Sequence, residues 1–159
     1  MNGLNEIRPG ESRVAVPPSG DAEVWFIGTI HTPWPTPRDC PRRGDYLAGP
    51  LCRIEVFSPW DKALAGLERH SHLQILYWMN QARRDLVIQN PRHTGSLSGT
   101  FSLRSPNRPN PIASSLVVLE RVDGNMLYVR GLDCVEGTPL IDIKPETCPH
   151  DGAAKVREA

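Results

Sequence analysis

The chain has 159 residues, 39% of them hydrophobic and 23% charged, with 18 basic against 18 acidic side chains. That size and balance fit one folded domain, able to bury roughly two-thirds of the surface its unfolded form exposes, and exclude a disordered chain. The longest apolar run, residues 75–79, is far too short to span a bilayer, and residues 1–20 lack a signal-peptide core, so a cytoplasmic protein with no membrane partner is expected.

Residues 1–22 are polar, with Pro9, Pro17 and Pro18, and read as a flexible lead-in or an arm on a partner. The main domain is expected over 23–146 and a tail over 147–159. The run Val24-Trp25-Phe26-Ile27-Gly28-Thr29-Ile30 reads as a buried strand stopped by Pro33, Pro35 and Pro37. A loop over 36–49 carries Arg38, Arg42 and Arg43 with Asp39 and Asp45, and residues 52–57 form a second strand. Leu64 and Leu67 would share a helical face, which predicts one or two helical turns over 63–68. Residues 73–79 are almost continuously apolar and read as a third strand covered on both faces, ended by Asn80 and Gln81.

After an arginine-bearing loop, Phe101 precedes the segment RSPNRPNPIASS at 104–115. Pro106, Pro109 and Pro111 exclude an interior strand and give a stiff frame for Arg104 and Arg108, which reads as a binding surface. Asn110-Pro111 fits either the cap and first residue of a helical turn, with the N–H groups of 112–114 open to an anion, or a plain cap on a solvated loop. Residues 116–122 and 126–130 flank Asp123-Gly124-Asn125 as a hairpin, and 140–143 close the ordered part. Six or seven short strands with one short helix predict an all-β protein, a small closed or nearly closed barrel.

Asp133 and Glu136 stand three residues apart before a Gly-Thr-Pro turn. They suit a ribose diol, a cation or a proton, or they are two solvated turn carboxylates. His70 and His72 have no third ligand nearby in sequence, so no metal is expected. Cys40, Cys52, Cys134 and Cys148 form no C-x-x-C pair and read as reduced thiols. No G-x-G-x-x-G or Walker loop occurs, so a Rossmann cofactor fold is not supported. Residues 83–108 hold five arginines against Asp85, whereas 133–159 hold six acids against three bases, an asymmetry suited to an anionic partner.

Two blocks read together resemble the TsaA-like family of TrmO-type tRNA methyltransferases. One is Phe101, Arg104, Ser105 and Arg108-Pro109-Asn110-Pro111-Ile112. The other is Leu132, Asp133, Glu136-Gly137-Thr138-Pro139 and Asp142-Ile143-Lys144-Pro145. Ile27-Gly28-Thr29-Ile30, Gly66-Leu67-Glu68 and Ser71-His72-Leu73 also match, so the resemblance covers about residues 27–145. Ala113 stands where the family usually has Gly, Glu146 where it has an aromatic, and the C-terminal extension of the best-known bacterial enzymes is not found before Ala159.

The resemblance implies a dimeric β-barrel that binds S-adenosylmethionine and methylates N6 of threonylcarbamoyladenosine at position 37 of tRNA. Carried over by position, the cofactor contacts are Arg43, Gly44, Asp45, Asn80, Gln81, Arg104, Ser114, Asp133, Cys134, Val135 and Glu136. Methyl transfer rests on positioning, and Asp133 is the candidate base for the weakly nucleophilic carbamoylated nitrogen. Arg83, Arg84, Arg92 and Arg108, with Asn110 beside them, are the candidate tRNA contacts. Two other readings stand: a methyltransferase of this fold acting on another nucleoside or small molecule, and a non-catalytic barrel that binds nucleic acid or a partner.

Overall fold

A computed structural model describes residues 6–92 and 95–147. In chain order the strands are β1 (Ser12–Arg13), β2 (Gly28–His31), β3 (Cys52–Val56), β4 (His72–Trp78), β5 (Leu86–Gln89), β6 (Ser98–Gly99), β7 (Ile112–Asp123), β8 (Met126–Arg130) and β9 (Thr138–Pro145). Chain contacts divide the protein into two compact units. One is Val24–Trp78 with the chain from Ser114 onward, and the other is the chain up to Glu23 with Met79–Ala113.

The first unit is the barrel, closed in the order β2-β3-β8-β7-β4-β9. Successive strand residues face opposite sides, so β2, β3, β4 and β8 show alternating burial. Ile30, Ile54, Leu73, Ile75, Val117, Leu127, Val129 and Leu140 are fully buried and make the core. The same alternation corrects the reading of 73–79: β4 buries Leu73, Ile75 and Tyr77 and leaves Gln74, Leu76 and Trp78 half-buried. A barrel wall has only one inner face. The hairpin stands as read, with Asp123 paired to Met126 across a loop in which Gly124 takes a φ of 60°, open to glycine at no steric cost.

Other expectations shift. The strand read from Val24 begins only at Gly28, and Val24, Trp25 and Phe26 are exposed. Their rings pair on the outside instead, Trp25 with Trp60 at 5.8 Å and Phe26 with Trp78 at 6.3 Å between centroids. The helix over 63–68 becomes two 3-10 turns, Trp60–Leu64 and Leu67–Arg69, because Gly66 at φ 86° interrupts it; of the two leucines only Leu64 is buried. The helical turn after Asn110 is a strand. Pro111 stands at its entry, outside the ladder, and β7 starts at Ile112.

In the second unit β1, β5 and β6 form a small antiparallel sheet. The segment read as a free lead-in contributes β1 and is pinned by side chains. Arg8 Nη1 donates to Asn90 O (2.7 Å), Asn90 N–H to Glu11 Oε1 (3.0 Å) and Val14 N–H to Asp85 O (2.8 Å). It covers an edge of β5 that would otherwise present unpaired backbone groups. The tail over 148–159 lies outside the described residues. Among those described, no helix is long and apolar enough to cross a membrane.

Cys40, Cys52 and Cys134 are free thiols. Burial first, then the Asp133 and Asp39 carboxylates, pushes the Cys40 thiol up to about 11, and burial pushes Cys52 up to about 11. Thiols of the unfolded chain titrate lower, so it releases protons first as pH rises. The stability these groups contribute is fully present below about pH 9 and is lost towards pH 11. The urea midpoint should therefore fall between pH 8.5 and 10.5 by roughly this linkage, and fall less steeply in Cys40→Ala; equal slopes would contradict the assignment.

Candidate functional site

One end of the barrel gathers the loop over 32–51, the loop over 131–137, the end of β4 and the start of β7. The loop over 131–137 is short and alternates. Leu132 and Cys134 bury their side chains completely, whereas Asp133 and Glu136 stay accessible.

Each carboxylate is held. Asp133 Oδ1 accepts from Tyr77 Oη (2.6 Å) and Ser115 Oγ (3.1 Å), and Oδ2 accepts from Gly44 N–H (3.2 Å). Tyr77 Oη and Ser115 Oγ are themselves 2.8 Å apart. Burial, followed by the Asp133 charge, drives the Tyr77 phenol far above its ordinary range, so it remains a donor. Gly44 sits so close to the Gly131 carbonyl that a Cβ would overlap it. Glycine is the residue that permits this approach.

Glu136 is bound on the other side. Its Oε1 meets His31 Nδ1 at 2.7 Å and its Oε2 accepts from Thr32 N–H (2.6 Å), while its own N–H donates to Trp34 O (2.8 Å). Thr32 Oγ1 donates to Cys134 O (2.8 Å), and Gly137 N–H to Ile30 O (2.9 Å). Glu55 Oε2 lies 3.8 Å from His31 Nε2, so the imidazole is flanked by two carboxylates. Asp45 caps its own loop, accepting from Leu47 and Ala48 N–H at 2.9 Å each; these bonds hold its carboxyl below the usual carboxylate range.

Of the residues singled out in the sequence, the barrel thus joins Gly44 to Asp133 by a hydrogen bond and carries Arg43, exposed, next to Gly44. Cys134 and Val135 face inward, and Cys134 is pushed well above the ordinary thiol range by burial. Ser114 points outward to Gln74 Oε1 (2.6 Å), while its neighbour Ser115 reaches Asp133. Sequence reasoning passed over Tyr77, Ser115, His31 and Thr32. The two-residue period of β4 and β7 was the signal for the first pair.

The other candidates lie in the second unit. Asn80 and Gln81 are exposed in a turn closed by Ala82 N–H to Met79 O (2.9 Å), and Arg104 and Arg92 are exposed. Arg83 grips Asp85 with both Nε (2.9 Å) and Nη2 (2.7 Å). Arg84 donates to Pro109 O (2.6 Å) and Asn110 Oδ1 (3.3 Å). Arg108 donates from Nη2 to Leu103 O (2.7 Å) and Thr100 O (3.3 Å), and its Nε is buried. Arg83 and Arg108 therefore brace the fold.

Tyr77→Phe removes the short donor to Asp133 and should cost about 1–3 kcal/mol of stability, the penalty for a partly buried acceptor deprived of its partner. Denaturant titration of the variant checks this; an unchanged midpoint would show the bond to be dispensable.

The family profile of the tRNA-methyltransferase O N-terminal domain matches residues 29–151. The chain is 50% identical over 153 residues to the probable S-adenosyl-L-methionine-binding protein VirR of Rhizobium radiobacter, covering 96% of this chain and 87% of VirR. It is 38% identical over 109 residues to the human tRNA (adenine(37)-N6)-methyltransferase, covering 67% of this chain but 25% of that protein. The crystal structure of TrmO from Pseudomonas aeruginosa superposes with a TM-score of 0.66 at 32% identity, over 83% of this chain and 60% of that one. By sequence and by barrel, the chain belongs to the family of tRNA-methyltransferase O N-terminal domains.

Proposed function

We propose that this chain binds S-adenosylmethionine and transfers its methyl group to N6 of the adenosine at position 37 of tRNA, in threonylcarbamoylated form. The observation that carries the reading is a family match running through both sequence blocks, with relatives named for that cofactor and for that atom of tRNA. The barrel end supports it. The two loops carry Asp39, Asp45, Asp133 and Glu136, acidic side chains that favour a cationic ligand at this end of the barrel. Close backbone packing at Gly44 and Gly131 holds the two loops against each other and fixes this end of the barrel.

When bound, S-adenosylmethionine supplies an electrophilic methyl on a cationic sulfur. The work left to the chain is placement, worth several kcal/mol when reacting atoms are held in line. We read Asp133 as a positioning residue rather than the base. Both its oxygens already accept hydrogen bonds, and these tie the loop at Gly44 to β4 and β7. Glu136 does the same against Thr32. Arg43, Asn80, Gln81, Arg104 and Ser114 carry exposed polar groups fit to contact the cofactor, and Arg84, Arg92 and Asn110 fit the tRNA. A cytoplasmic homodimer is the working form we propose.

Calorimetry with S-adenosylmethionine should show binding by the wild type and weaker binding both in Asp133→Ala, which releases the loop at Gly44, and in Arg104→Ala, which removes an exposed cation. Unchanged affinity in both would take these residues out of the site. Incubating the protein and cofactor with tRNA from a strain lacking its gene should yield methylated threonylcarbamoyladenosine in the nucleoside digest. Methyl transfer to some other nucleoside would move the proposal to that acceptor.

A further inference from the structure

The turn after β6, Thr100–Ser102, is fixed from below by buried polar groups. Thr100 and Gln89 are 3% and 5% exposed. Thr100 Oγ1 donates to Leu86 O (2.8 Å) and accepts from Gln89 Nε2 (2.9 Å), which also donates to Asn107 O (2.7 Å). Arg108 holds the carbonyls of Leu103 and Thr100, Ser102 Oγ donates to Gly99 O (2.7 Å), and Leu103 N–H closes the turn on Thr100 O (3.1 Å). The one large side chain on this braced turn, Phe101, is 85% exposed.

An aromatic ring on a backbone already ordered loses little further entropy when something packs on it. Beside the ring lies a shallow cleft lined by Leu86, Val87, Gly99 and Pro109, with no carboxylate in its walls. Arg84 is exposed at its rim, bonded to the Pro109 carbonyl. The one acid between residues 83 and 108, Asp85, is gripped by Arg83. A flat apolar ring beside exposed guanidinium suits an unpaired base and its phosphate.

We infer that Phe101 is a stacking platform for an unpaired base of the RNA substrate, with Arg84 meeting the neighbouring phosphate; this rests on the RNA-methylating reading above. A base within a duplex is already stacked on its neighbours, so the surface selects single-stranded loops.

The test measures fluorescence anisotropy of a labelled anticodon stem-loop RNA and of a blunt duplex of equal length, with wild type, Phe101→Ala, Phe101→Trp and Phe101→Leu. Phe101→Ala should weaken stem-loop binding roughly 5- to 150-fold, the worth of one base stacked on an aromatic ring. Phe101→Trp should keep wild-type affinity and Phe101→Leu should not, while calorimetric affinity for S-adenosylmethionine and mass by light scattering stay unchanged. Equal stem-loop affinity in Phe101→Ala, full affinity in Phe101→Leu, or a changed oligomeric mass would each overturn the inference and leave the methyltransferase reading standing. A wild type that binds the cofactor but no RNA would overturn both.

Discussion

The site depends on one carboxylate that is fully engaged. Asp133 joins three stretches of chain, accepting from the phenol of β4, the hydroxyl of β7 and the backbone of the loop at Gly44. Charge-assisted bonds of this kind are stronger than neutral ones, and in a partly buried place water competes poorly for them. Without that hub, the loop at Gly44 would lose its side-chain bond to the barrel rim, and Tyr77 would keep a buried hydroxyl with Ser115 as its remaining partner.

This arrangement changes what an acidic motif means. Two acids three residues apart invite an acid–base reading, yet both are held by donors of their own fold, Glu136 on the side of Thr32 and Asp133 on the side of Gly44. Their charge still shapes the local field, because hydrogen bonding does not neutralise a carboxylate. The loop therefore offers a fixed backbone and a negative potential, the two things that binding and orienting a cationic ligand requires.

The barrel was legible because period-two patterning and a Gly-Asn turn are local signals: β3, β8 and the later part of β7 follow from them directly. Local signals failed where tertiary partners decide. Val24 to Phe26 look like strand, but the rings of Trp25 and Phe26 pack on Trp60 and Trp78 outside the barrel rather than joining a ladder. Asn110-Pro111 looks like a helix cap, yet pairing within the barrel takes the residues after it into β7. Nothing short in range links Asp133 to Tyr77, 56 residues away, or Thr32 to Cys134, 102 away. Motif resemblance pointed to the loop but not to the residues that hold it.

The last strand among the described residues closes the ring. β9 lies between β2 and β4, with Gly28 against Leu140 on one side and Ile75 against Ile143 on the other. Pairings separated by so much chain must overcome loop-closure entropy before they repay it, which makes assembly slow and cooperative. During synthesis β2 and β4 must wait with open edges until residue 145 has left the ribosome, and the mouth that β9 helps to frame forms only then. A nascent chain halted before β9 leaves those edges bare, and bare edges invite pairing with other chains.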